Sequence, residues 1–132
     1  MYLFACAILL AFATVLNLRD WRMLTLTLLV GVTIFLPVPS YSQLAFYGTC
    51  ITAETVVMLV CVFLAPRAGC AVFYICLMMV VSHLMGFALG GHAPLSPYRA
   101  IMKLLEFSQL LACVALSPVL APKLENRDAT TA

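Results

Sequence analysis

The chain has 132 residues, 65% of them apolar and 9% charged, with a formal net charge of +2 and a mean hydropathy of +1.13. Soluble domains average roughly 45–50% apolar and about 25% charged, so the composition excludes an ordinary water-soluble fold. The small net charge, with no Arg/Lys cluster, excludes a nucleic-acid-binding surface. The expected class is all-α: a polytopic membrane protein, one bundle of five transmembrane helices over residues 1–121, with a short solvated tail at 122–132.

The first predicted helix, about 2–18, ends at Arg19, Asp20 and Arg22. No positive segment precedes it and no small-residue cleavage site follows, so it reads as an uncleaved helix rather than a signal peptide. Asp20 is placed to cap the second, about 21–36, which Pro37 and Pro39 end. The third, about 41–65, is the longest and stops at Pro66-Arg67-Ala68-Gly69. The fourth, about 70–89, ends at Gly90-Gly91. Ser96 and Pro97 suit the N-cap and N1 positions of the fifth, about 97–117, which closes before Pro118. All seven prolines fall in the connections or the tail.

Basic residues set the expected orientation. With the amino terminus outside, Arg19, Arg22, Arg67, Lys123 and Arg127 are cytoplasmic, and only Arg99 and Lys103 are outside. That satisfies the positive-inside rule and predicts N-out, C-in. Tyr2, Tyr41 and Tyr98 then fall at the outer interface and Trp21 at the inner one.

Positions 23–66 carry one formal charge, Glu54. At 1.5 Å per residue it lies roughly 18–20 Å below the outer end of its helix, near mid-membrane. A carboxyl there must face protein, water or a partner. Gln43, Tyr47, Cys50, Glu54, Met58 and Cys61 recur at three- and four-residue spacing and form one stripe. His83, about 9 Å from the outer end of its helix, shares a face with Cys76, Met79 and Gly86. Glu106, about 13 Å deep, shares a face with Lys103, Gln109 and Cys113. Glu54, His83, Glu106, Gln43 and Gln109 thus form the candidate polar intramembrane cluster, for a proton, a ligand or an interhelical bond.

Each residue also has a plain structural role open to it. Glu106 can pair with Lys103 or Arg99, His83 can hydrogen-bond a neighbouring helix, and Glu54 can do the same as a neutral carboxyl. Gly86 and Gly90 form a GxxxG pair suited to close helix approach. The six cysteines sit in or beside apolar runs without a CxxC pair, which favours packing over disulfide or metal chemistry. Met78, Met79, His83, Met85 and His92 contain soft-metal donors, but Met78 and Met79 point about 100° apart. No metal or cofactor is expected.

No phosphate loop, HExxH or GxSxG occurs and the loops are short, so no enzyme is expected. Three functions fit. The leading one is an accessory subunit that binds a larger membrane protein or assembles through helix–helix contacts. The next is an oligomeric pore-former; in its short multi-helix body and brief charged tail the chain resembles holins in size and layout, which assigns no site residue. The third is a small proton-coupled exporter using Glu54. An intramembrane glutamate in a compact bundle is similar to the central device of the small multidrug-resistance transporters, which have four helices and carry it in the first. The lipid bilayer, and a homo-oligomeric or larger membrane partner, are the expected surroundings, in a bacterial inner membrane.

Overall fold

The computed structural model describes residues 1–36, 42–64, 67–89 and 95–120, without the side chains of residues 67, 68, 95 and 96. Among the described residues the chain is all-helical: α1 (Tyr2–Asn17), α2 (Trp21–Phe35), α3 (Gln43–Leu64), α4 (Arg67–Ala88) and α5 (Leu95–Ala115), with no strand. Two of these helices, α3 and α4, are long and apolar enough to cross a membrane. The 16 residues of α1 and 15 of α2 span only about 24 and 22 Å.

Local chemistry sets the ends. Asp20 caps α2, its Oδ1 accepting from the backbone N–H groups of Arg22 and Met23 at 3.0 and 3.4 Å. Ser42 does the same for α3 through the N–H of Ala45 at 3.1 Å. Two expected starts are corrected. Helix α4 begins at Arg67 rather than residue 70, so the Arg67-Ala68-Gly69 segment forms its first turn instead of a stop. Helix α5 begins at Leu95 rather than residue 97. Pro97 therefore lies within the first turn, where a missing N–H breaks no intrahelical bond. Tyr41, Gly90, His92 and the tail at 122–132 lie outside the described residues.

The helices pack as a closed ring in chain order, with α1 returning against α5 and with α2 touching α5 across the middle. The ring is thereby divided into two lobes, α1–α2–α5 and α2–α3–α4–α5, which share α2 and α5. The most extensive pair is α3 with α4. At Gly86 of α4, an added Cβ would lie 2.9 Å from the hydroxyl oxygen of Tyr47 and 3.0–3.2 Å from its ring carbons. Gly86 thus leaves room on α4 for the Tyr47 side chain of α3. At Gly31 of α2, an added Cβ would lie 2.6 Å from a methyl of Leu10, so α1 and α2 approach closely there.

Polarity is distributed against the pattern of a soluble domain. Large apolar side chains face outward on every helix, among them Phe4, Phe12, Trp21, Val32, Leu44, Phe63, Tyr74, Met85 and Leu104. Monomeric soluble proteins rarely expose such continuous apolar surface. The buried set includes Asn17, Thr27, Glu54, His83, Gln109 and Ser117. Hydroxyls that face outward are satisfied within their own helix. Thr25, Thr55, Ser82 and Ser108 each donate to the carbonyl four residues earlier, at 2.7–2.8 Å, which hides the donor from an apolar medium.

All six cysteines are free thiols; Cys6, Cys61, Cys76 and Cys113 are buried, Cys50 is half-buried and Cys70 exposed. The four buried ones belong to the apolar core with Leu26, Val30, Val57, Val72 and Leu110.

Candidate functional site in the bundle interior

Helix α5 is the hub of two buried polar clusters. In the four-helix lobe, Gln109 is fully buried and its Nε2 donates to Glu54 Oε2 at 3.0 Å and to Cys76 Sγ at 3.0 Å. One amide thereby ties α5 to α3 and α4. Glu54 is only 4% exposed.

One turn further along α5, the backbone carbonyl of Cys113 accepts from Asn17 Nδ2 at 3.1 Å. The same Nδ2 is 3.1 Å from Thr27 Oγ1, whose hydroxyl donates to Met23 O. This second cluster ties α5 to α1 and α2. Ser117 extends it, donating to Leu16 O at 3.2 Å. Asn17 Oδ1 and Gln109 Oε1 are both buried and without a hydrogen-bond partner.

At the end of the bundle bearing the amino terminus of α1, a cavity of about 600 Å³ enters between the helices. Glu54, His83 and Glu106 all line it, together with Tyr2, Tyr98, Arg99, Lys103, Phe46 and Cys50. Three helices thus bring the three ionisable groups singled out by spacing to one space. Burial orders them by depth: Glu54 and His83 are buried, Glu106 is half-buried, and Arg99 and Lys103 are exposed.

The groups around the cavity are held by aromatic neighbours. The Tyr2 hydroxyl donates to Glu106 Oε2, and Lys103 Nζ lies over the Tyr2 ring, 5.3 Å from its centroid. Glu106 therefore finds its hydrogen bond on α1 rather than in the i−3 lysine of its own helix. Tyr98 Oη and His83 Nδ1 share a hydrogen bond at 2.6 Å. The rings of Tyr47, His83 and Tyr98 stack edge-on, each pair 6.0–6.2 Å apart.

Gln43 is exposed in the first turn of α3, eleven residues before Glu54, so the buried stripe begins at Tyr47. Among the described residues no group of three metal-ligating His, Cys, Asp or Glu side chains comes together. Met79 is buried while Met78 and Met85 face outward, which separates the soft donors of α4.

Sequence reasoning missed Asn17, Thr27 and Ser117, and assigned Tyr2 and Tyr98 only to the interface. The available signal was Asn17 itself, the one side-chain amide in the first apolar run. What the arrangement offers chemically is a compartment of about 600 Å³ lined by the buried Glu54 and His83, the half-buried Glu106 and the exposed cations Arg99 and Lys103. No protein-family model, curated protein or solved structure matches this chain.

Proposed function

We propose that the chain is a five-span integral membrane protein, N-out and C-in, and that it is a small proton-coupled carrier holding a solute in the cavity above Glu54. The supporting observation is that Glu54, His83 and Glu106 open into one cavity inside a bundle whose exterior is apolar. A carboxyl at mid-bilayer is costly unless protein or water shelters it. A carboxyl bordering a solute-sized cavity is placed to exchange a proton for a bound group.

The short helices α1 and α2 are accommodated by local thinning of the bilayer and by the basic residues Arg19 and Arg22 at their shared end. A carrier is favoured over a single-chain pore by the closed floor. Beyond Glu54 the interior is filled by Val57, Cys61, Leu110 and Cys113, each at most 3% exposed. The apolar exterior is common to this reading and to that of an accessory subunit, because lipid or a membrane partner would cover it equally.

Vesicles containing the purified protein and a pH-reporting dye separate these readings. With the interior acidic, they are expected to hold the pH difference until a mixture of small amines and amino acids is added outside. The interior pH then rises faster than in protein-free vesicles. Immediate collapse of the gradient with escape of the dye would instead establish a pore. An unchanged rate with every solute would remove the carrier.

A further inference from the structure

The charges around the cavity are sorted by depth, and this sorting specifies its ligand. Glu54 and Glu106 lie inward, while Arg99 and Lys103 are exposed and line the same space. Arg99 and Glu106 are seven residues apart on α5, about 10 Å along the helix axis. The wall of the same space includes the aromatic side chains of Tyr2, Phe46 and Tyr98.

We infer that the cavity binds a zwitterion, with an ammonium group directed to the carboxyls at depth, an anionic group at the Arg99–Lys103 mouth, and an aromatic or apolar middle. This rests on the carrier reading above and narrows it. A plain organic cation must pass beneath two positive side chains to reach Glu106 and Glu54. A plain anion is met by the two carboxyls once inside. In a compartment of low dielectric each uncompensated charge is penalised heavily, so a ligand bearing both signs compensates both levels at once. Lys103, held over the Tyr2 ring directly beside the Tyr2–Glu106 hydrogen bond, brings the two signs within one turn of α5.

The test compares three probes of similar shape on the protein in lipid nanodiscs: 4-(aminomethyl)phenylacetate, 4-ethylbenzylamine and 4-methylphenylacetate. The zwitterion is expected to bind about tenfold or more tighter than either single-charge probe, the effect of one added charge-assisted hydrogen bond. Glu106→Gln, which keeps an acceptor for Tyr2, should lower zwitterion affinity to that of the anion. The double variant Arg99→Gln/Lys103→Gln should lower it to that of the amine. Each variant is first matched to the parent in thermal unfolding, so that a folding defect is not read as lost binding.

If the amine binds as tightly as the zwitterion and the double variant changes nothing, the two cations serve the lipid headgroups and the assignment falls. The carrier reading then stands as a cation carrier. Failure of all three probes to bind also overturns the assignment, and the pH-dye assay judges the carrier reading separately.

Discussion

Glu54→Gln is expected to abolish solute-dependent proton movement in vesicles, by on the order of tenfold or more, while leaving the protein folded. The amide has the shape of the carboxyl, and its carbonyl can still accept from Gln109 Nε2, now at 3.0 Å from Glu54 Oε2. What it lacks is an exchangeable proton. Glu54→Leu is a different experiment, because it leaves the Gln109 donor with Cys76 Sγ as its remaining partner in the core. Full activity in Glu54→Gln would move the coupling proton to Glu106 or His83, the other ionisable groups deep in the cavity. The comparison is made at equal protein density, with the same pH difference and the same solute mixture.

The second large effect is on stability. Gln109→Leu removes the amide that joins α5 to α3 and α4 and leaves the 4%-exposed Glu54 carboxyl with only the weak Cys76 thiol as a donor. A buried acceptor stripped of its partner costs about 1–3 kcal/mol, and single interhelical bonds in membranes average about 0.6 kcal/mol, with a maximum near 1.7. The expected destabilisation is therefore about 1–3 kcal/mol, read by unfolding in a titrated denaturing detergent. The double variant Glu54→Leu/Gln109→Leu replaces both ends of the contact with apolar groups. It should recover part of the loss, because the cost lies in the unpaired group rather than in the bond. Strictly additive losses would mean that the two side chains do not meet in the protein.

The sequence carried the helices more clearly than their beginnings. Hydropathy and proline placement mark where a helix is impossible, yet they do not mark where the first turn starts. A first turn needs no intrahelical N–H bond, so α4 takes in Arg67-Ala68-Gly69 and α5 takes in Leu95 and Ser96. Three- and four-residue spacing singled out the Glu54, His83 and Glu106 faces, and the fold puts all three side chains on the lining of one cavity. Spacing along a single helix is silent about which neighbour supplies the hydrogen bond. Tyr2 therefore supplies the hydrogen bond to Glu106 beside the nearby charge of Lys103, and Gln109 is the partner of Glu54 from 55 positions away.

The same limit explains Asn17. A lone amide in an apolar run reads as tolerable on hydropathy alone. Its importance appears only when α2 and α5 bring Thr27 and the Cys113 carbonyl to it. At Gly86, spacing to Gly90 suggested close helix approach without naming the neighbour, and the side chain that occupies the room is Tyr47 of α3. Side-chain volume on the opposing helix, invisible to a periodic reading, decided the outcome.

In the proposed carrier, the cavity that Glu54 lines opens to the outside at the amino-terminal end of α1. Cys50, half-buried and lining the cavity, is a native reporter, and Cys70 is exposed at the start of α4 near the opposite end of the bundle. Right-side-out vesicles of a variant retaining Cys50 alone, treated with a small charged membrane-impermeant thiol reagent, should be modified at that residue, as read by intact mass. A Cys50 that stays unmodified from outside, yet reacts once the protein is unfolded, would contradict an outward-facing cavity and with it the shelter assigned to Glu54.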